Sequence, residues 1–298
     1  MNKLNNKVAI ITGGSDGIGK ETCKIIAREI GTIVIGCRNK QKGEVAAKEI
    51  SSHTGNSNII ILDLDLSKQN SVKSFVNEFN KLNLPLDLLI NNAGVMCPPF
   101  SITQDGYSFQ IATNHFGPFL LTNLLLKNLE KSENPRILVL TSDRFKDADL
   151  SLILNDKINV ESEANYNQLK DYSLSKCCNL LFTKELQRKL IEKGSKIVVN
   201  SINPGKVQTS LQRDFTGILK VAFSLMPNFI FTPIQVASKE CAKVALGTDP
   251  SLNGIKGSYF NIGVLTETPR QFNSIEISKK LWDITSKFTN ISNDLVLK

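Results

Sequence analysis

The chain has 298 residues, enough for one large domain or two small ones, and its 41% hydrophobic and 21% charged content is ordinary for a soluble globular protein. The net charge of +8 comes from scattered Lys and Arg rather than a basic run, which argues against a nucleic-acid partner and leaves an anionic cofactor or an anionic membrane surface open. Six cysteines without C-x-x-C spacing, and only His53 and His115 as histidines, argue against a zinc site, so no metal and free thiols in a reducing, cytoplasmic setting are expected.

The first apolar run begins at Val8, too soon after Met1 for a signal sequence or an anchor. Seven continuous apolar runs follow in order: KVAIIT (7–12), TIVIGC (32–37), NIIILDL (58–64), LDLLINN (86–92), RILVLTS (136–142), KIVVNSI (196–202) and GSYFN (257–261). Continuous rather than alternating runs suit parallel strands buried on both faces. Between them lie helix-length stretches of period near 3.6, such as GKETCKIIAREI, KGEVAAKEISS, SVKSFVNEFNKL and HFGPFLLTNLLLKNL. This alternation predicts an α/β fold: a single-domain, Rossmann-type, doubly wound, seven-stranded parallel sheet with helices on both faces. Residues 143–168 and 203–235 read as long irregular segments after strand ends, where open α/β sheets bind ligands. The apolar stretch 217–233 is broken by Lys220, Pro227 and Asn228, so it is too interrupted for a transmembrane span. It reads as a buried helix, a lid or a surface touching membrane.

Residues 12–21, TGGSDGIGKE, lie between the first strand and the first helix. Glycines there let the backbone approach phosphates, and the helix N-terminus supplies N–H donors. The stretch nearly forms a nucleoside-triphosphate loop, but Glu21 stands where a magnesium-binding hydroxyl is needed. A dinucleotide is the other reading. The second strand then selects the cofactor: Cys37 takes the position of a ribose-binding acid, and Arg38, with Lys40 nearby, offers donors to an adenosine 2′-phosphate. That pattern favours NADP(H).

In DYSLSK (171–176), Tyr172 and Lys176 stand four apart on one helix face. A phenol titrates near pH 10 unperturbed, and a neighbouring cation lowers that value, which would let it exchange an alcohol proton. Alone, the same spacing also occurs as a surface pair.

Taken in order, T-G-x-x-x-G-x-G (12–19), N-N-A-G (91–94), Ser142 at the end of the fifth run, Y-x-x-x-K (172–176) and N-P-G (203–205) resemble the short-chain dehydrogenase/reductase superfamily across nearly the whole chain. CRNKQKGEVAAKEI, LDLLINNAGVMCPP, DGYSFQIATNHFGPFLLTNLLL and SKKLWDITSKF are similar to its retinol dehydrogenase-like and WW-domain-oxidoreductase-like branch. The resemblance implies that Gly13, Gly17 and Gly19 shape the pyrophosphate turn with Ser15 and Ile18 lining it. Arg38 would bind the 2′-phosphate. Asp65 would bind adenine, with Asp63 as competitor, and Asn92, Ala93 and Gly94 would pack beside the adenosine ribose. It further implies Ser142 as the group polarising the substrate oxygen, Tyr172 as general acid/base, Lys176 on the nicotinamide ribose, and Asn114 positioning Lys176 through a water. Pro204, Gly205, Val207 and Thr209 would cradle the carboxamide.

Departures from the branch include Asp143 after Ser142, Pro118 where histidine is usual, and Cys177-Cys178 after the lysine; none removes a catalytic group. The expected activity is NADP(H)-dependent interconversion of a carbonyl and an alcohol on a lipophilic substrate such as a retinoid, steroid, or fatty or xenobiotic aldehyde or ketone. Residues 217–235 would form a substrate lid and 274–298 a C-terminal helical tail. Peripheral membrane contact and a monomer or homodimer stay open. The competing expectation is a catalytically silent dinucleotide-binding sensor or partner-binding module.

Overall fold

The computed structural model describes residues 5–212, 215 and 227–297. Eight strands form one sheet: β1 (Asn5–Thr12), β2 (Ile30–Cys37), β3 (Ile59–Asp63), β4 (Leu88–Asn91), β5 (Arg136–Leu140), β6 (Val198–Asn203), β7 (Tyr259–Asn261) and β8 (Val264–Leu265). Their order is β3-β2-β1-β4-β5-β6-β7-β8, and every pairing is parallel except β7 with β8. The main helices are α1 (Gly17–Ile26), α2 (Lys40–Thr54), α3 (Gln69–Lys81), α4 (Gly117–Glu130), α5 (Gln168–Glu192), α6 (Ile234–Leu246) and α7 (Ile275–Thr289).

The expected doubly wound α/β sheet is present, with one correction: it has eight strands, and the last runs antiparallel. Ile262 (φ 48°) and Gly263 (φ 76°) form a two-residue turn of the kind that closes a tight hairpin. β8 is two exposed residues long, too short to carry a sequence period.

Burial alternates along β1. Val8 and Ile10 face a core built with Phe75 and Phe79 of α3, Phe119 and Leu125 of α4, and Leu186 of α5. Ala9 and Ile11 face the opposite core, built with Cys23 and Ile26 of α1, Ile50 of α2 and Cys241 of α6. Each fully buried aliphatic or aromatic side chain stabilises the fold by roughly 1.5–3 kcal/mol. Trp282 of α7 is 1% exposed, packs edge-on to Phe119 at 4.8 Å and stacks on Phe182 at 6.0 Å, so the C-terminal helix is part of the first core. All six cysteines are free and buried.

β1 and β4 are neighbours although β2 and β3 lie between them in sequence. Chain direction across the sheet reverses there, and the loops at the strands' carboxyl ends diverge to leave a crevice.

Candidate active site

The crevice is a cavity of about 410 Å³ at the carboxyl ends of the strands. One wall is the turn between β1 and α1. Gly13 (φ 66°) and Gly17 (φ 51°) hold left-handed backbone conformations there. A Cβ on Gly19 would stand 2.4 Å from Asn92 Nδ2 and 2.5 Å from the Gly13 carbonyl oxygen, so the close approach of the loop requires glycine. Thr12 joins this wall to the loop after β4. Its hydroxyl accepts from the N–H groups of Asn92 (3.0 Å) and Ala93 (2.9 Å), while Asn92 Nδ2 donates to the Thr12 carbonyl at 2.8 Å.

Lys20, the residue that gave the stretch its triphosphate-loop look, does not line the cavity; it pairs with Glu49 of α2 at 2.8 Å. Glu21 lies beyond the first turn of α1 and pairs with Lys24. Neither is available for a phosphate–magnesium site.

All but two of the residues to which the family resemblance gives a site role line this one cavity: Gly13, Ser15, Gly17, Ile18, Gly19, Arg38, Asn92, Ala93, Gly94, Ser142, Tyr172, Lys176, Pro204, Gly205, Val207 and Thr209. Asp65 does not. Its carboxylate accepts from the Ser67 N–H (3.0 Å) and hydroxyl (2.6 Å), and its neighbours Leu64 and Leu66 line the cavity instead. Asp63 also lies off the cavity, exposed at the end of β3. Asn114, the other exception, sits just behind the wall. It occupies a π-helical turn, Ala112–Phe116, a form common at functional sites. Its side chain clamps Val95 through both backbone groups (2.8 and 2.9 Å) and donates to Ser175 Oγ at 3.0 Å.

Tyr172 and Lys176 lie in the first turns of α5, capped by the Asn167 side chain. Tyr172 is 4% exposed and Lys176 5%. Burial pushes the phenol up, and the hydrogen bond with Ser142 partly offsets it. Burial pushes the Lys176 ammonium down to about 8. Its Nζ lies 5.6 Å from the Tyr172 ring centre and 3.5 Å from the Leu140 carbonyl. Ser142 begins a 3₁₀ turn, Asp143–Asp147, whose Arg144 N–H it caps at 3.3 Å.

Among the cavity residues not singled out in the sequence, Asp16 and Lys42 form an ion pair. Asp16, inside the glycine turn, accepts from the Gly17 N–H at 2.8 Å, from Lys42 Nζ at 2.6 Å and from the Ser210 hydroxyl. Burial alone would raise its pKa, but these three donors hold it below the usual carboxylate range. Lys42 lines the cavity and Lys40 does not. The readable signal was the acid itself, since a carboxylate in a phosphate turn requires a nearby cation.

The long segment 143–168 is better anchored than its sparse periodicity predicts, because Phe145, Ile153 and Ile158 are all buried. Within the expected lid, residues 217–226 lie outside the described residues; Phe231 lines the cavity, and the Thr232 N–H donates to the Lys206 carbonyl at 2.7 Å. Among the described residues, no helix is long and apolar enough to cross a membrane, and no cluster of three or more His, Cys, Asp or Glu could hold a metal.

The family model for short chain dehydrogenase matches residues 7–148. The chain is 37% identical over 294 residues to retinol dehydrogenase 11 of Mus musculus, covering 98% of this chain and 89% of that protein. The chain belongs to the short-chain dehydrogenase/reductase superfamily, in its retinol dehydrogenase-like branch. It is also 38% identical over 288 residues to the chloroplastic short-chain dehydrogenase TIC 32 B of Brassica napus, covering 95% of this chain and 88% of that one. A solved structure of an uncharacterised protein from Mycobacterium Paratuberculosis superposes with a TM-score of 0.76 at 28% identity, covering 99% and 98% of the two chains. A short chain dehydrogenase from Shigella flexneri, solved with NADP, shares the fold with a TM-score of 0.66 at 22% identity, covering 87% and 98%. As a member of this superfamily the protein is an oxidoreductase of the NAD(P)-dependent type.

Proposed function

We propose that the protein is an NADP(H)-dependent reductase of lipophilic aldehydes or ketones, able to run the matching alcohol oxidation. The observation that carries this reading is that Ser142, Tyr172 and Lys176 line the same cavity as the glycine turn and Arg38. The residues fit a dinucleotide. The glycine turn leaves no room for side chains where a pyrophosphate would lie, α1 presents its N-terminus there, and Arg38 with Lys42 supplies positive charge at the end of β2. A nicotinamide bound in this cradle supplies the hydride.

The chain's own residues do the rest. Arg38 offers a planar donor fork to the 2′-phosphate. Ser142 and Tyr172 donate hydrogen bonds to the substrate oxygen as negative charge grows on it, which favours the transition state over the ground state. Tyr172 delivers its proton to that oxygen. Lys176 donates toward the ribose hydroxyls and favours the phenolate, offsetting the burial that raises the phenol. Asn114 holds the Val95 backbone and, through Ser175, the first turns of α5. Pro204, Gly205, Val207 and Thr209 would flank the carboxamide. NADPH in a reducing compartment favours the reductive direction. The lipophilic substrate class is supported by the relatives described as retinol dehydrogenases and by the apolar Phe231, Leu211 and Met96 on the cavity wall.

The test is NADPH oxidation with a panel of decanal, retinal and a steroid ketone. Turnover of at least one, abolished in Tyr172→Phe, is expected. NADPH binding without turnover across the panel would replace this reading with that of a catalytically silent dinucleotide sensor.

A further inference from the structure

Lys176 does not stand alone on α5. One turn along, Asn179 is 3% exposed and donates from Nδ2 to the Leu140 carbonyl at 3.2 Å, the same oxygen that Lys176 Nζ approaches at 3.5 Å. Asn179 Oδ1 faces His115 Nδ1 at 3.3 Å, and His115 Nε2 faces the Thr285 hydroxyl of α7 at 3.0 Å. His115 is 1% exposed and Thr285 fully buried.

The chemistry fixes the protons of Asn179 and His115. The Leu140 carbonyl can only accept, so Asn179 turns its NH₂ toward it and its oxygen toward the histidine. That oxygen can only accept, so the His115 proton sits on Nδ1. Burial pushes the His115 pKa down to about 4, so the ring is neutral and Nε2 is bare. The single Thr285 hydroxyl proton is shared between Nε2 at 3.0 Å and its own helix carbonyl at Leu281 at 2.8 Å. The result is a one-directional pair of donors running from His115 through Asn179 to the carbonyl beside the catalytic lysine, with Thr285 of the C-terminal helix against the far side of the ring. A buried string of this kind is rigid because each broken link strands a polar group.

We propose that Asn179 is a positioning residue for Lys176: fixed by His115 and Thr285, it pins the Leu140 carbonyl that anchors the lysine, leaving the remaining ammonium protons free for the cofactor ribose. The proposal rests on the reading of Lys176 given above. It also assigns His115, remote from the cavity, a share in the geometry of the reaction. The titratable side chain beside Lys176 is the Tyr172 phenol on α5, which in turn feels Asp143 and Arg144 from the 3₁₀ turn and the Cys97 thiol from the loop after β4. None belongs to the string, so a change made at Asn179 or His115 reports on it directly.

The experiment uses the full chain as wild type, Asn179→Leu, His115→Leu and His115→Asn. NADPH oxidation with the carbonyl panel gives kcat, the KM for NADPH and the pH profile. Carbon-13 NMR of Cε-labelled lysine gives the Lys176 titration independently of activity. Expected for both leucine variants are a kcat about tenfold lower with the KM for NADPH within about twofold, and a Lys176 titration displaced by about one unit with a matching shift of the pH profile. His115→Asn keeps a donor near the Nδ1 position and restores both. A kcat loss with an unmoved Lys176 titration is a merely structural effect and overturns the proposal, as does a His115→Asn variant as impaired as His115→Leu. If Asn179→Leu does not fold, the two His115 variants decide. If wild type turns over nothing, the proposed function fails, and the lysine titration alone decides this one.

Discussion

Lys176 Nζ lies 5.6 Å from the centre of the Tyr172 ring, with both side chains almost fully buried on one face of α5. Burial drives the two groups in opposite directions, the phenol up and the ammonium down to about 8, so the phenol is neutral at pH 7 while the ammonium stays mostly charged. Tyr172→Phe removes the proposed proton donor and leaves the ring in place. Turnover should fall by about 10² or more, while the NADPH dissociation constant, read by fluorescence titration, stays within about threefold.

Lys176 carries a stability cost with a defined pH window. Its folded pKa, about 8, lies below the unfolded value of 10.5, so between these the unfolded chain binds more protons and stability rises with pH. Below pH 8 the cost is fully present. Lys176→Met should therefore be inactive yet more resistant to urea at pH 7, by an amount on the order of 1–3 kcal/mol. The advantage should shrink toward pH 10.

His115 gives the mirror case in acid. Its folded pKa of about 4 lies below the ordinary 6.5, so stability is lost as pH falls through that interval. His115→Leu should flatten the acid limb of the urea midpoint between pH 6.5 and pH 4, whatever it does to turnover.

Arg38 and Lys42 line the cavity beyond the end of β2, where the proposed function puts the 2′-phosphate. Arg38→Ala should weaken NADPH by about 1.5–3 kcal/mol, the usual worth of a charged hydrogen bond. NADH, lacking that phosphate, should bind nearly as before. Equal affinity of wild type for the two cofactors would defeat the assignment.

Gly19→Ala tests the turn itself. The added methyl would sit 2.4 Å from Asn92 Nδ2 and 2.5 Å from the Gly13 carbonyl, and neither has room to retreat. A loss of roughly 1–3 kcal/mol in stability, with loss of NADPH binding, is expected by thermal melting with and without cofactor.

The sheet was readable because parallel strands leave long apolar runs, and six crossovers left six helical periods to match. What escaped was small or reciprocal. β8 has only two residues, and its signal is the backbone sign at Ile262 and Gly263. The π turn at Ala112–Phe116 has no letter code at all. Asp16 and Lys42 stand 26 residues apart, and only the folded βα unit shows that they meet. The motif assigns Asp65 to adenine, and the fold adds that its carboxylate accepts from Ser67 two residues on, a local bond that the motif does not announce.

The π turn also sets a register. An α-helix advances roughly 100° per residue, and a π turn stores about one residue more than an α turn would use. Deleting one residue between Asn114 and α4, His115 or Phe116, would let the segment relax into α-helix, and everything before it would rotate by about that angle relative to α4. Asn114 would swing off Val95 and Ser175 while α4 stayed packed on Phe182 and Trp282. The clamp on Val95 and α5 therefore depends on chain length here as much as on residue identity.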